Sequence, residues 1–241
     1  MKEVIDCQLE LKGLKEEFES FTYIISHDMK ASLRAVSNLT SWIEEDLGED
    51  VDPDVLQNFN LLKNRVDRLQ NMLSALLELS RVNTAEWEVY EVNIPKMMEN
   101  CVAMVENNKG VKIHTKLNLI NDNCNTVGDK LQKVMTCLLD NAVRFHDKNN
   151  GNVFLDISEN DKTYEIQVAD DGPGVSEESR EKIFSIFYTA HSKDIIDSTG
   201  ASLAICKKIL KRLGGSLKYF PNKDNGSVFS VSWPKEITLI N

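Results

Sequence analysis

The chain of 241 residues has no apolar run longer than the five residues from Cys101 to Val105. A bilayer-spanning helix needs about 20 such residues, so none is expected. Acidic residues also interrupt the N-terminal stretch MKEVIDCQLE, where a signal peptide would carry an apolar segment. The five cysteines are scattered and never spaced as CxxC, which argues against a disulfide frame or structural zinc and for reduced thiols in a cytoplasmic setting. Positive charge is short as well. Lys and Arg number 28 against 38 Asp and Glu, a net −10 that argues against nucleic acid as the main partner. It leaves room for one local basic pocket. No internal repeat or low-complexity tract is present. The remaining composition, 41% apolar and 27% charged, is that of a folded protein.

The first third reads as two helices. Leu11, Leu14, Phe18, Phe21 and Ile25 recur at helical spacing, pass polar Asp28 and Ser32, and resume at Ala35, Leu39 and Trp42. Met29, Val36 and Ile43 widen that apolar face. The segment GEDVDPD is a turn, with Asp52 as candidate cap and Pro53 at the start of the next helix. Phe59, Leu62, Val66, Leu69, Leu73 and Leu76 then repeat at heptad spacing. Two such helices leave apolar surface uncovered, which a dimeric four-helix bundle would bury, the alternative being packing on the C-terminal part of the same chain.

From Asn83 onward the pattern alternates. VYEVNI and VKIHTKLNL read as strands around the helix IPKMMENCVAMVEN, and GDKLQKVMTCLLDNAVRFH as a second helix. GNVFLDISE and KTYEIQVAD read as strands, as do GSLKYF and GSVFSVSWP. A short helix is expected near SEESREKIF, and a longer one from Ala201 that stops at Gly214-Gly215. The fold class expected is α+β, a helical hairpin at 1–82 followed by an α/β sandwich at 83–241.

Two constellations carry chemistry. His27 sits two residues beyond the seam position Ile25, on the flank of its helix, with Asp28 able to orient it or take its proton. The second group is Asn141-Ala-Val-Arg144-Phe, then Asp170-Asp-Gly172-Pro-Gly174, then Ser198-Thr199-Gly200-Ala-Ser-Leu-Ala204. A helix Asn can ligate Mg²⁺ that already carries phosphate, a strand-end Asp can accept from a base amine, and glycines admit a ligand to the backbone. A helix N-terminus offers N–H groups to phosphate. Each piece also has an ordinary reading as a turn or a helix cap.

In this order the motifs resemble the catalytic core of sensor histidine kinases. The resemblance spans about Glu17 to Pro234 and lies nearest the phytochrome-type subgroup, whose acceptor segment reads like SHDLRAPLRA where this chain has SHDMKASLRA. The resemblance implies a dimerisation and phosphotransfer hairpin and an ATP-binding domain of the gyrase/Hsp90/MutL-like class. It implies that His27 accepts the γ-phosphoryl group with Asp28 as acid/base. It further implies that Asn141 holds Mg²⁺, that Asp170 contacts adenine, and that Arg144, Gly172, Gly174, Thr199 and Gly200 shape the ATP site. Lys182–Tyr188 would form the base of an ATP lid running from Thr189 to Ser198. The implied partners are a second copy, a response-regulator receiver domain and a separate sensory protein, unless the chain is part of a longer sensor.

Four departures from the family pattern stand out. Ser32 replaces its usual proline, Ala31 the Thr or Asn linked to phosphatase activity, and Cys137 an Asn near the metal. STGASLAI replaces GTGLGLAI, so Gly200 alone remains of three glycines. Positive φ at Ser198 or Ser202 would cost about 1–2 kcal/mol. The departures open a second expectation: a weak or inactive homologue that senses nucleotide or docks a response regulator.

Overall fold

The computed structural model describes residues 2–47, 51–105, 110–189, 199–223 and 225–237. The lid from 190 to 198, Ser198 included, lies outside the described residues, as do the side chains of Leu11, Leu14 and Phe18.

Helices α1 (Lys2–Asp46) and α2 (Pro53–Thr84) form an antiparallel hairpin. The Asp52 side chain accepts from the Asp54 N–H at 2.9 Å, and Pro53 occupies the first turn, so the start of α2 is set as its sequence requires. With serine at the proline position, α1 runs unbroken through His27, and the Ser32 hydroxyl donates to the Asp28 carbonyl at 3.3 Å. Only part of each stripe is covered. Phe59, Val66, Ala75 and Val82 are buried, whereas Phe21, Leu39, Trp42, Leu62 and Leu69 stay exposed.

The remainder is a layer of helices on a sheet. Strands β1 (Tyr90–Asn93) and β3 (Asn123–Thr126) pair antiparallel as a small separate sheet. The main sheet has the order β2-β4-β5-β7-β6, comprising β2 (Lys112–Asn118), β4 (Asn152–Glu159), β5 (Thr163–Asp170), β6 (Ser216–Pro221) and β7 (Ser227–Pro234). The β2–β4 pair is parallel and the rest antiparallel. Side chains alternate, so Val153, Leu155 and Ile157 share one face with Tyr164, Ile166 and Val168, and with Phe229, Val231 and Trp233. Helices α3 (Ile94–Met104), α4 (Gly128–Arg144) and α5 (Ser202–Arg212) cover that face with Met98, Leu131, Leu138, Leu139, Ile205 and Ile209. Trp233 is fully buried, and its indole N–H donates to Thr126 Oγ1 at 2.8 Å.

Two expectations change. SEESREKIF forms two 3₁₀ turns, Glu177–Ser179 and Lys182–Phe184, in place of a helix. Strand β3, with the sequence NCNT, had no apolar alternation to announce it, and forms because β1 supplies an edge.

The C-terminal turn of α2 is held by α5. Lys208 Nζ donates to the Leu79 carbonyl at 2.7 Å, and buried Arg212 donates to the carbonyls of Val82 and Ala85. The Val82 carbonyl is one that a helix end leaves open and Ala85 is the residue that caps it, and cations there suit the helix dipole. The Arg212 guanidinium also lies 4.3 Å from the Trp87 ring centre.

The alternation along β4 makes a direct prediction. Leu155→Ala should cost about 2–5 kcal/mol in urea unfolding, as for a fully buried leucine, while adjacent Phe154→Ala, on the outer face, should cost about 1 kcal/mol or less. Equal losses would contradict the inward and outward assignment.

Candidate functional site

Asp170 is the last residue of β5 and keeps the phase of Tyr164, Ile166 and Val168, so its carboxylate points into the core layer. Its Oδ1 accepts the backbone N–H of Gly172 at 3.0 Å and of Ser227 at 3.1 Å. Burial pushes this carboxyl up from its usual range, and those two N–H groups pull it partly back. The chain then turns sharply. Gly174 has φ +71, and a Cβ there would sit 2.9 Å from the Gly226 carbonyl oxygen, so the turn and the β6–β7 hairpin touch backbone to backbone. Asn222 Nδ2 donates to the Asp170 carbonyl at 2.9 Å from that same hairpin.

Asn141 projects from the last two turns of α4. Its Nδ2 donates to Cys137 Sγ at 3.7 Å, which leaves the amide oxygen for the cavity. Cys137 also hydrogen-bonds Cys206, which pushes that buried thiol well up, with burial adding to the effect. Asn141, Asp170, Gly174 and Gly200 line one cavity, walled by apolar Ala142, Phe145, Ile183, Leu203 and Phe229. Thr189 lines it too, and its Oγ1 is buried without a hydrogen-bond partner. An orphaned hydroxyl, a buried carboxylate and apolar walls fit an adenine nucleotide, and the Asn141 amide oxygen fits a magnesium ion that draws its other ligands from phosphate and water. Among the described residues no three His, Cys, Asp or Glu side chains cluster to hold a metal ion by themselves.

Gly200, at φ +66, packs so tightly that a Cβ would lie 2.3 Å from the Tyr188 carbonyl oxygen. The two ends of the lid therefore meet at the cavity rim. Phe187 beside it takes φ +63, a region unfavourable for a bulky residue. Ser202 has no positive φ and starts α5, so the loss of the family glycine there brings no backbone strain.

Three expected residues are not among those lining the cavity. Gly172 serves it indirectly, through the N–H it donates to Asp170. Arg144 lies on the outer face of α4, paired with Asp140 at 3.0 Å, and is not among the residues lining the cavity. Thr199 lines a neighbouring cleft with Glu78, Lys133, Asp140 and Ala201. On the hairpin, the His27 side chain is 69% exposed and its Nδ1 lies 3.2 Å from Asp28 Oδ1.

One group had no motif to reveal it. The His146 side chain is fully buried, with Nε2 2.7 Å from Asp171 Oδ1 and Nδ1 accepting the Lys148 N–H at 3.1 Å. Asp171 also accepts the Asn152 backbone N–H at 2.9 Å and the Asn152 side chain at 3.1 Å. The network braces the turn that follows Asp170. The nearest sequence signal was the acid pair Asp170-Asp171 itself.

The family model of histidine kinase-, DNA gyrase B- and HSP90-like ATPases matches residues 126–237. Cyanobacterial phytochrome B of Nostoc sp. is 28% identical over 232 residues, 94% of this chain and 31% of that protein. Residues 126–237 belong to that ATPase family, and the chain as a whole is similar to the catalytic core of sensor histidine kinases. Full-length ShkA in complex with AMPPNP matches 92% of this chain with a TM-score of 0.70 at 21% identity, over 47% of its own length. Histidine kinase ThkA in complex with the response regulator TrrA matches 95% of it with a TM-score of 0.64 at 21% identity, over 66% of its own length. These two establish the fold. The chain spans about a third of the length of the phytochromes it matches.

The Asn152 donors, joined by His146 and Lys148 and opposed by burial, hold the Asp171 carboxyl at about 2, down from 3.8. A depressed carboxylate stabilises the fold above its unfolded value and loses that contribution as pH falls toward its folded one. Asp171→Asn should therefore lower the urea midpoint at pH 7, with the gap to wild type closing between pH ~4 and ~2. A gap that does not change with pH would remove the charge as its cause.

Proposed function

We propose that the chain is an ATP-dependent protein-histidine kinase of two-component signalling. In this reading residues 1–82 form the phosphotransfer and dimerisation unit and residues 83–241 the ATP-binding unit. One observation carries it. An exposed histidine, tied through Nδ1 to a carboxylate, stands on a hairpin joined to an ATPase-type domain whose cavity gathers Asn141 and Asp170.

With Nδ1–H donated to Asp28, Nε2 keeps its lone pair and faces solvent. Nε2 attacks the γ-phosphorus, an N–P bond forms, and the bond to the β,γ-bridging oxygen breaks to release ADP. Asp28 receives or stabilises the Nδ1 proton as the ring becomes cationic. Asp170 and the apolar walls fix the base, and the Asn141 amide oxygen serves a magnesium ion. Such an ion, when bound, neutralises phosphate charge during the transfer. The remaining requirement is positioning. From phosphohistidine the phosphoryl group would pass to an aspartate of a receiver domain. ThkA, crystallised with a response regulator, supports such a partner.

Incubation with γ-labelled ATP should give acid-labile label on wild type and none on His27→Ala. Asp170→Asn should weaken nucleotide binding at least about tenfold, the scale of a lost hydrogen bond to a charged group. Retained label on His27→Ala would remove His27 as acceptor. The segment Ser198–Ser202 favours a second reading, nucleotide sensing without turnover, which binding of ATP with no phosphohistidine would support.

The uncovered hairpin face supports a homodimer. Leu39, Trp42, Leu62 and Leu69 are each about half exposed on it. Leu69→Asp should shift the sedimentation mass from dimer to monomer, and an unchanged dimer would place the interface elsewhere.

A further inference from the structure

Tyr23 and Arg81 have no part in the transfer just described, yet both are placed by His27. Tyr23 is one helical turn before His27 on α1, so the two side chains lie on the same stripe. Their rings stack with centroids 6.3 Å apart and planes 25° apart. Arg81 comes from the last turns of α2, and its guanidinium carbon lies 5.3 Å from the centre of the Tyr23 ring. That is within cation–π range. Among the described residues, no carboxylate is paired with Arg81.

We infer that Tyr23 and Arg81 are positioning residues for His27: Arg81 clamps the Tyr23 ring, and the ring sets the orientation of the imidazole. Tyr23 is 43% exposed, so core packing does not hold its ring and the guanidinium does. An exposed histidine otherwise samples several side-chain rotamers, of which few present Nε2 outward with Nδ1 on a carboxylate. Asp28 fixes the ring at Nδ1, and Tyr23 limits its rotation. Nε2 is left as the open edge. Arg81 is itself seated by the ATP-binding half, because the carbonyls of Leu79, Val82 and Ala85 around it accept from Lys208 and Arg212. The acceptor's orientation thus depends on a contact with α2, not on α1 alone.

This inference rests on the proposed role of His27, and its test separates the two. Full-length chain is labelled in parallel with γ-labelled ATP and with phosphoramidate. The small donor transfers its phosphoryl group to Nε2 with loss of ammonia and needs no nucleotide site. Arg81→Ala should slow both labellings about two- to fivefold, as an exposed cation–π contact implies, and Arg81→Lys should restore most of the rate. Tyr23→Ala should slow both more, Tyr23→Phe should match wild type, and the double alanine variant should be no slower than Tyr23→Ala, because Arg81 acts through Tyr23. The KM for ATP should not move in any of them. Wild-type rates for Arg81→Ala and Tyr23→Ala with both donors would overturn the inference. So would a loss confined to ATP, which would assign the effect to docking of the ATP-binding half. If wild type takes no label from ATP the kinase reading fails, and the phosphoramidate rates still decide the positioning role.

Discussion

A carboxylate in the core phase of a strand must find hydrogen-bond donors or give up its charge, and much of the ATP-binding half answers that requirement at Asp170. The donors are backbone N–H groups, one from the turn that follows and one from the start of β7. Bringing both to one oxygen forces the turn at Gly172–Gly174 against Gly226, where the backbones leave no space for side chains. The β6–β7 hairpin is therefore fixed against the end of β5, and Asn222 adds a further bond. His146, Asp171 and Asn152 brace the far side. The cavity is preorganised because its one buried charge is surrounded by fixed dipoles, not by mobile side chains.

The hairpin works by the opposite logic. The His27 and Asp28 side chains are exposed, and the direct contacts between them and their neighbours are few and local: the hydrogen bond they share and the stack of His27 on Tyr23. In the proposed transfer, a rigid nucleotide site and a lightly held histidine suit a reaction in which one body must approach another. The link between them is short, with Lys208 and Arg212 of α5 donating to carbonyls at the C-terminal end of α2 and its cap, and Trp87 covering the guanidinium.

Both helices of the hairpin, the alternation of β4, β5 and β7, and the location of Asn141 and Asp170 could be read from periodicity and motif. Asp170 was legible as the strand-end acid of the Asp170-Asp-Gly-Pro-Gly motif, and the structure extends to it the alternation of Tyr164, Ile166 and Val168. Strand β3 was not, since NCNT has a single apolar residue, Cys124, and pairs because β1 lies beside it. Arg144 was expected at the ATP site from the family resemblance, yet helix geometry gives it Asp140 four residues earlier as a partner. Thr199 faces a different cleft from Gly200, which one residue of turn suffices to cause. His146 escaped notice because a buried histidine is defined by long-range partners, and Asp171 lies 25 residues away.

Arg212 reaches the Val82 carbonyl across 130 residues of chain and the Ala85 carbonyl across 127. The final turn of α2 is therefore completed by a side chain made much later on the ribosome. Closing so long a loop is slow compared with forming the helix itself. During synthesis the hairpin emerges before α5, its last carbonyls left to water until α5 docks. His27 is translated well before Arg212, so the surroundings of the histidine are finished only after the sheet has been made.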